Sequence, residues 1–341
     1  MKKWAKISRQ SFGIYGNGKY NLILSGGENG RNSAIYDAET GKRMIRLSMY
    51  NQIRHVEFIS EDELLLRTMG MLYAIWNIKE SAETWRWQYP RPAREHHNER
   101  PFVWLGNGRI LDITPIYYKS DFKDAHVFCL DCRTNSVTPI RKGNGEILYC
   151  ESKEEAVYGG VYASPALHAY WYSTSHTPWR IYRIDPESLM ASAEPWAPSA
   201  AQQFPLLPCQ HVFIDSHGYV WYEVVEEIEN KGFPHWPIWP ICEKLMHSSD
   251  EGQLLRIPSV ELGYREILHS ANGRWLALWY DQPKNGQQGH AVQIFDTERR
   301  ELIGPEEAQV DKHVLGWIGD TLYLMDKDGN AYMLDLSKKY T

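Results

Sequence analysis

Apolar and polar residues alternate with a period of two along most of the chain, and short polar turns break the alternation at regular intervals. Residues 269–281, HSANGRWLALWYD, show the pattern: a strand end, an Asn-Gly turn and a second, strongly apolar strand. Asn and Gly accept the positive φ that tight hairpin turns demand. Similar hairpins recur near residues 12–26, 55–68, 102–114, 146–160, 211–225, 266–280 and 313–326. Each is followed, after a variable gap, by a third strand that usually ends in an apolar residue plus Asp, as in SAIYDAETGK and AVQIFDTERR. A fourth strand follows most of these, for example KRMIRLSM and ETWRWQYP.

Repeats of about four strands, spaced at or above the forty-odd residues of a propeller blade, predict a seven-bladed β-propeller that takes up residues 1–341 as a single all-β domain. The last unit supplies only three strands before the chain ends at LSKKYT, while KKWAKISR near the N-terminus alternates like an unclaimed strand. Residues 4–8 are therefore expected to close the ring as the outer strand of the last blade, since joining the termini in one blade removes exposed sheet edges.

Through turns such as SANGRW and strand ends such as Tyr36-Asp37, Phe295-Asp296 and Leu334-Asp335, the chain resembles the WD-repeat and related bacterial seven-bladed propellers. The likeness is one of architecture and extends over nearly the whole chain. Trp76-Asn77 is the nearest approach to the Trp-Asp signature of WD repeats. A propeller serves many functions, so its sites must be argued from residues.

A net charge of −6 argues against a nucleic-acid partner, which favours a basic stripe. The N-terminus lacks the apolar core of an export signal, and no segment approaches a membrane span. A cytoplasmic protein, monomeric by itself and without a membrane partner, is the expectation. Five cysteines, an odd number, fit a reducing compartment. Cys129 and Cys132 form a CxxC without the second pair of ligands a zinc site needs, so neither a metal nor another cofactor is expected.

Connections between strands one and two, and between three and four, are short, whereas nearly all long segments fall in the other set, on the opposite face. Long segments on a rigid scaffold are where binding resides. Those of blades three to five are rich in rings and imidazoles: Tyr117, Tyr118, His168, Tyr170, Trp171, Tyr172, His176, Trp179, Phe233, His235, Trp236 and Trp239. Aromatic side chains with few lysines suit a protein-protein hot spot, and the residues above are expected to bind a protein partner. Pro234, Pro237 and Pro240 stiffen the segment that carries Phe233, Trp236 and Trp239. The segment YDQPKNGQQGH in blade six is a further expected loop.

The reading that follows is a non-enzymatic protein-binding propeller: a scaffold, adaptor or inhibitor. The alternative is a hydrolase or lyase acting at the central channel on a small substrate, carbohydrate derivatives included. No nucleophile elbow, phosphate loop or zinc-protease motif supports it. Aligning the hairpins on their turns does bring His55, Glu146, His211, Glu266 and His313 to roughly one position at the start of the innermost strands, where, on that alternative, they would bind a divalent metal or serve acid–base chemistry.

Overall fold

A computed structural model of the protein describes residues 1–26, 30–90, 101–114, 125–150, 160–164, 168–173, 180–193, 209–214, 220–226, 241–248, 254–256, 264–284, 287–299, 301–303 and 312–337, with the backbone alone within 209–267 and 279–291 and at 164, 168, 170, 172, 173, 180 and 302. Every element among the described residues is a β-strand. No helix among them is long and apolar enough to cross a membrane.

After β1 (Lys2–Lys6), the first unit runs β2 (Ser11–Gly16), β3 (Tyr20–Ser25), β4 (Ala34–Asp37) and β5 (Arg43–Arg46). The second comprises β6 (Ile53–Phe58), β7 (Glu63–Thr68), β8 (Leu72–Asn77) and β9 (Ala82–Gln88). The third comprises β10 (Val103–Gly106), β11 (Arg109–Ile113), β12 (Val127–Asp131) and β13 (Ser136–Pro139), followed by the short β14 (Arg141–Lys142). The fourth holds β15 (Gly160–Ser164), β16 (His168–Ser173), β17 (Arg180–Ile184) and β18 (Met190–Ala193). The fifth holds β19 (Cys209–Ile214), β20 (Val220–Glu226), β21 (Ile241–Ser248) and β22 (Leu254–Arg256). The sixth is β23 (Tyr264–His269), β24 (Trp275–Lys284), β25 (Gln287–Asp296) and β26 (Glu301–Ile303), and the last is β27 (Lys312–Ile318), β28 (Thr321–Asp326) and β29 (Asn330–Asp335). The main strands of each unit form an antiparallel meander in chain order, and β14 adds to the edge of the fourth, parallel to β18 through Arg141↔Met190 and Lys142↔Ala191. The fifth and sixth are linked into one sheet at the single pair Cys242↔Tyr264.

β1 completes the last unit by pairing antiparallel with β29, from Lys2↔Met333 to Lys6↔Asn330. The strand lies at residues 2–6, two residues earlier than the alternation suggested. A bulge between Lys3 and Ala5 lets both Trp4 and Ala5 turn inward. The Trp4 ring meets Tyr323 of β28 edge-on at 5.4 Å and Tyr36 of β4 at 5.8 Å, and its Nε1 donates to Ala38 O at 2.8 Å. One apolar cluster, including Trp4, Ile14, Ile23, Tyr36, Leu315 and Tyr323, thus joins the last unit to the first. Gly41 takes φ +67° where a Cβ would collide with the Trp4 carbonyl oxygen, so the turn before β5 needs glycine.

The recurring Asp at the end of the third strand has a structural cause. Asp37 Oδ1 accepts from Thr40 N at 2.7 Å, Asp185 Oδ1 from Ser188 N at 2.6 Å, and Asp296 Oδ1 from Glu298 N at 2.9 Å. Asp131, Asn77 and Asp335 cap their turns in the same way. The motif marks a side-chain-capped turn.

Two expectations are corrected. The hairpin of the fourth unit is β15–β16, paired from Gly160↔Tyr172 to Ser164↔His168, rather than residues 146–160. The apolar alternation of EILYC is used elsewhere: Ile147 and Tyr149 bridge to Arg141 and His126, while Leu148 and Cys150 are buried in the cluster between units three and four. YDQPKNGQQGH is mostly strand, because β24 and β25 extend their ladder out to Lys284↔Gln287.

Candidate functional site

In an antiparallel meander, turns between strands one and two and between three and four lie at one end, and the remaining connections at the other. At the first end, polar staples tie neighbouring units. Lys19 reaches Glu61 at 2.7 Å and Asp62 at 2.9 Å, Trp85 Nε1 donates to Asn135 Oδ1 at 3.0 Å, and Arg109 Nη1 donates to Pro186 O at 2.7 Å. Trp275 Nε1 donates to Asp320 Oδ1 at 2.8 Å between the sixth and last units. This face spends its polar groups on itself.

The longest stretches of chain between consecutive described strands join strands at the other end. Tyr117, Tyr118, His176, Trp179, Phe233, His235, Trp236 and Trp239 lie outside the described residues. His168, Tyr170, Trp171 and Tyr172 do not lie on a loop: all four belong to β16. A run of aromatic residues packs well on a pleated sheet, which accounts for the strand. Trp171 is fully buried in the cluster between units three and four, with its ring 5.9 Å from that of Tyr182, so it is a core residue.

Register decides the fate of the five expected channel residues. His55, Glu266 and His313 occupy the same position in their innermost strands, opposite Arg67, Trp279 and Met325. His211 sits in β19 where the register shifts between Cys209 and Val212. Glu146 departs from the expectation. It is exposed in the turn after β14, with its carbonyl accepting from Lys142 N, and not in an innermost strand.

His55 is half-buried and enclosed by rings. Tyr15 meets it edge-on at 5.3 Å and Phe102 at 4.6 Å, and Nδ1 shares a 3.1 Å hydrogen bond with the Tyr15 hydroxyl. Burial, helped by the nearby Arg67 charge, pushes the imidazole down to about 3, so it stays neutral at physiological pH. Burial likewise pushes the Tyr15 phenol up to about 12. Two residues along, Glu57 accepts a hydrogen bond from Trp104 N at 2.9 Å. Its carboxyl is raised to about 7 by burial, against the opposing pull of that bond.

Behind these residues lies a buried ion pair between Arg67 of β7 and Asp112 of β11. Tyr73 donates to Asp112 Oδ2 at 2.7 Å, Ile113 N donates to Asp112 Oδ1 at 2.7 Å, and the Arg67 guanidinium stands 5.9 Å from the Phe102 ring centre. Sequence reasoning missed Glu57, Arg67 and Asp112. The available signal was a lone Arg in ELLLRT and a lone Asp in RILDIT, each interrupting an apolar second strand in adjacent repeats. The network joins the second unit to the third, and Tyr15 brings in the first.

Among the described residues, no group of three or more His, Cys, Asp or Glu is placed to hold a metal ion. Cys129 is buried and Cys132 partly so, and burial raises their thiols to about 11 and about 12.

No protein-family model matches the chain. No curated protein matches it by sequence. Solved structures do match by shape. The β-propeller domain of Cps50 (Swd1) from Myceliophteria thermophila aligns with a TM-score of 0.58 at 11% identity, over 96% of this chain and 97% of that one. Hydrazine synthase from Kuenenia stuttgartiensis aligns with a TM-score of 0.54 at 10% identity, over 98% of this chain and 95% of that one. Likeness at this identity speaks for fold alone, and with the successive four-stranded meanders it identifies the chain as a β-propeller.

Proposed function

We propose that the protein is a non-enzymatic, protein-binding propeller, a closed seven-bladed ring that captures a partner on its loop-bearing face and acts as a scaffold, adaptor or inhibitor. The observation that supports this reading is the short, self-capped turns at one end, stapled to their neighbours, set beside the long aromatic segments that the sequence assigns to the connections of the other end. Rings held on a rigid frame lose little entropy on association and form effective hot spots. Of the expected channel residues, His55 favours binding over acid–base chemistry, because it is neutral and its Nδ1 is engaged by Tyr15. The protein acts as a monomer in the cytoplasm, without a cofactor.

The test is cross-linking of the tagged protein to its partner in the native host, followed by mapping of the cross-linked residues. Replacing Trp236 and Trp239 together by Ala is expected to weaken capture by about 2 kcal/mol or more per ring with an unchanged melting temperature. Substitution of Glu187, at the opposite end, leaves capture intact. Unaltered capture by the folded Trp double variant would falsify the placement of the site.

A further inference from the structure

Charge is segregated along this chain. The first 54 residues hold ten Lys and Arg against three Asp and Glu, while the remainder holds 27 against 40. The fold gathers much of the basic excess on one rim. β1 is the outer strand of the last blade, β5 is the outer strand of the first, and the two blades pack side by side through Trp4. β1 exposes Lys2, Lys3 and Lys6, and Lys42 with β5 exposes three more cations, Lys42, Arg43 and Arg46. Neither strand contains an acidic residue.

These charges are poorly compensated. Lys2, Lys3, Lys42, Arg43 and Arg46 form no ion pair with a described residue. Arg46 instead donates to the neutral Asn32 Oδ1 at 2.5 Å and to the Arg31 carbonyl at 3.4 Å. Met44 and Met49 stand among the cations at 49% and 50% exposure. Among the described strands β5 pairs with β4 alone, so its other backbone edge is open.

We propose that the rim formed by β1 and β5 docks an acidic, extended segment of a protein partner, laid along the edge of β5 as an added strand with apolar side chains between its carboxylates. An added strand gains main-chain hydrogen bonds from the open edge. Arg43 and Arg46 supply charge-assisted contacts to carboxylates, and the flexible thioethers of Met44 and Met49 adapt to apolar side chains. The lysines of β1 draw the segment in at longer range. A polyphosphate strand or an anionic bilayer is the poorer fit: a polyphosphate offers nothing apolar to the methionines, and neither supplies main-chain groups to the open edge of β5. This surface is separate from the loop-bearing face and does not depend on it.

The test uses the intact protein with three probes: fluorescent dodecapeptides alternating Glu with Leu, Ile, Val or Phe; a 20-nucleotide single-stranded DNA; and phosphatidylserine vesicles. Peptide binding is expected to weaken at least tenfold in R43E/R46E, to weaken with added salt, and to persist in W236A/W239A. The K2E/K3E variant, which leaves β5 untouched, is expected to weaken binding by a smaller factor, and it decides the matter if R43E/R46E melts early. Absence of peptide binding, binding indifferent to both charge reversals, or equal binding of DNA or vesicles overturns the proposal.

Discussion

Between the last blade and the first, the seal is an aromatic ring: Trp4 fills the space between Tyr36 and Tyr323 and spends its one polar hydrogen on Ala38 O. Between the second and third, the seal is ionic: Arg67 and Asp112 are fully buried together, with Tyr73 completing the carboxylate's partners and Glu57 held nearby by Trp104 N. The aromatic seal is indifferent to pH and tolerant of small adjustments. An ionic seal in an apolar setting stands only while all of its members are present, because a charge left alone there has lost its hydration. One architecture thus accepts two kinds of fastening, with opposite sensitivities.

The largest effect is expected at the ionic seal. Asp112→Ala strands the Arg67 guanidinium and is expected to cost about 4 kcal/mol in denaturant unfolding, whereas the double change Arg67→Met with Asp112→Leu recovers most of that loss. If the double variant is as unstable as the single one, the cost comes from packing and the ionic account is wrong. Trp4→Ala removes a buried ring and its hydrogen bond, with an expected loss of about 3 kcal/mol. Because Trp4 also anchors β1, amide hydrogen exchange in β29 is expected to speed up while exchange in β11 does not. Equal acceleration in both would refute the local character of this seal.

A smaller effect separates the two junctions by pH. Glu57 has a folded pKa of about 7, above the usual carboxyl value of 4.5, so the native state holds its proton more tightly than the unfolded chain. Its contribution to stability is complete below about pH 4.5 and is lost as the pH rises to 7. Glu57→Gln keeps an acceptor for Trp104 N and cannot ionise. Relative to the natural protein, it is expected to gain little at pH 5 and on the order of 1–2 kcal/mol at pH 8. A gain that does not change with pH, measured by denaturant midpoints, rules out Glu57 as the titrating group.

The same contrast explains why the sequence revealed some features and concealed others. The strand-end Asp residues were legible because each acts within its own turn, two or three residues away. β1 was legible because an alternating segment was left over at one end and a strand was missing at the other. The network around His55 was not legible, since Arg67 and Asp112 are 45 residues apart and only the packing of adjacent blades joins them. The fourth blade misled for a related reason. EILYC has the alternation of a strand, yet its apolar side is buried between two blades, and the strands of the blade itself carry the aromatic run HAYWYS that resembled a loop.

By itself, the sequence determined the repeated hairpin of most units, the strand-end Asp with the polar turn after it, and the strand that completes the last unit. All of these depend on local backbone preference and on a period of two, which neighbouring residues are enough to specify. Tertiary structure alone decided which polar side chains of the innermost strands are enclosed, which aromatic residues are core, and that six of the ten cations of the first 54 residues share one rim. These outcomes depend on which blade lies beside which and on how one strand is set in register against the next, so they follow from contacts between residues distant in the chain.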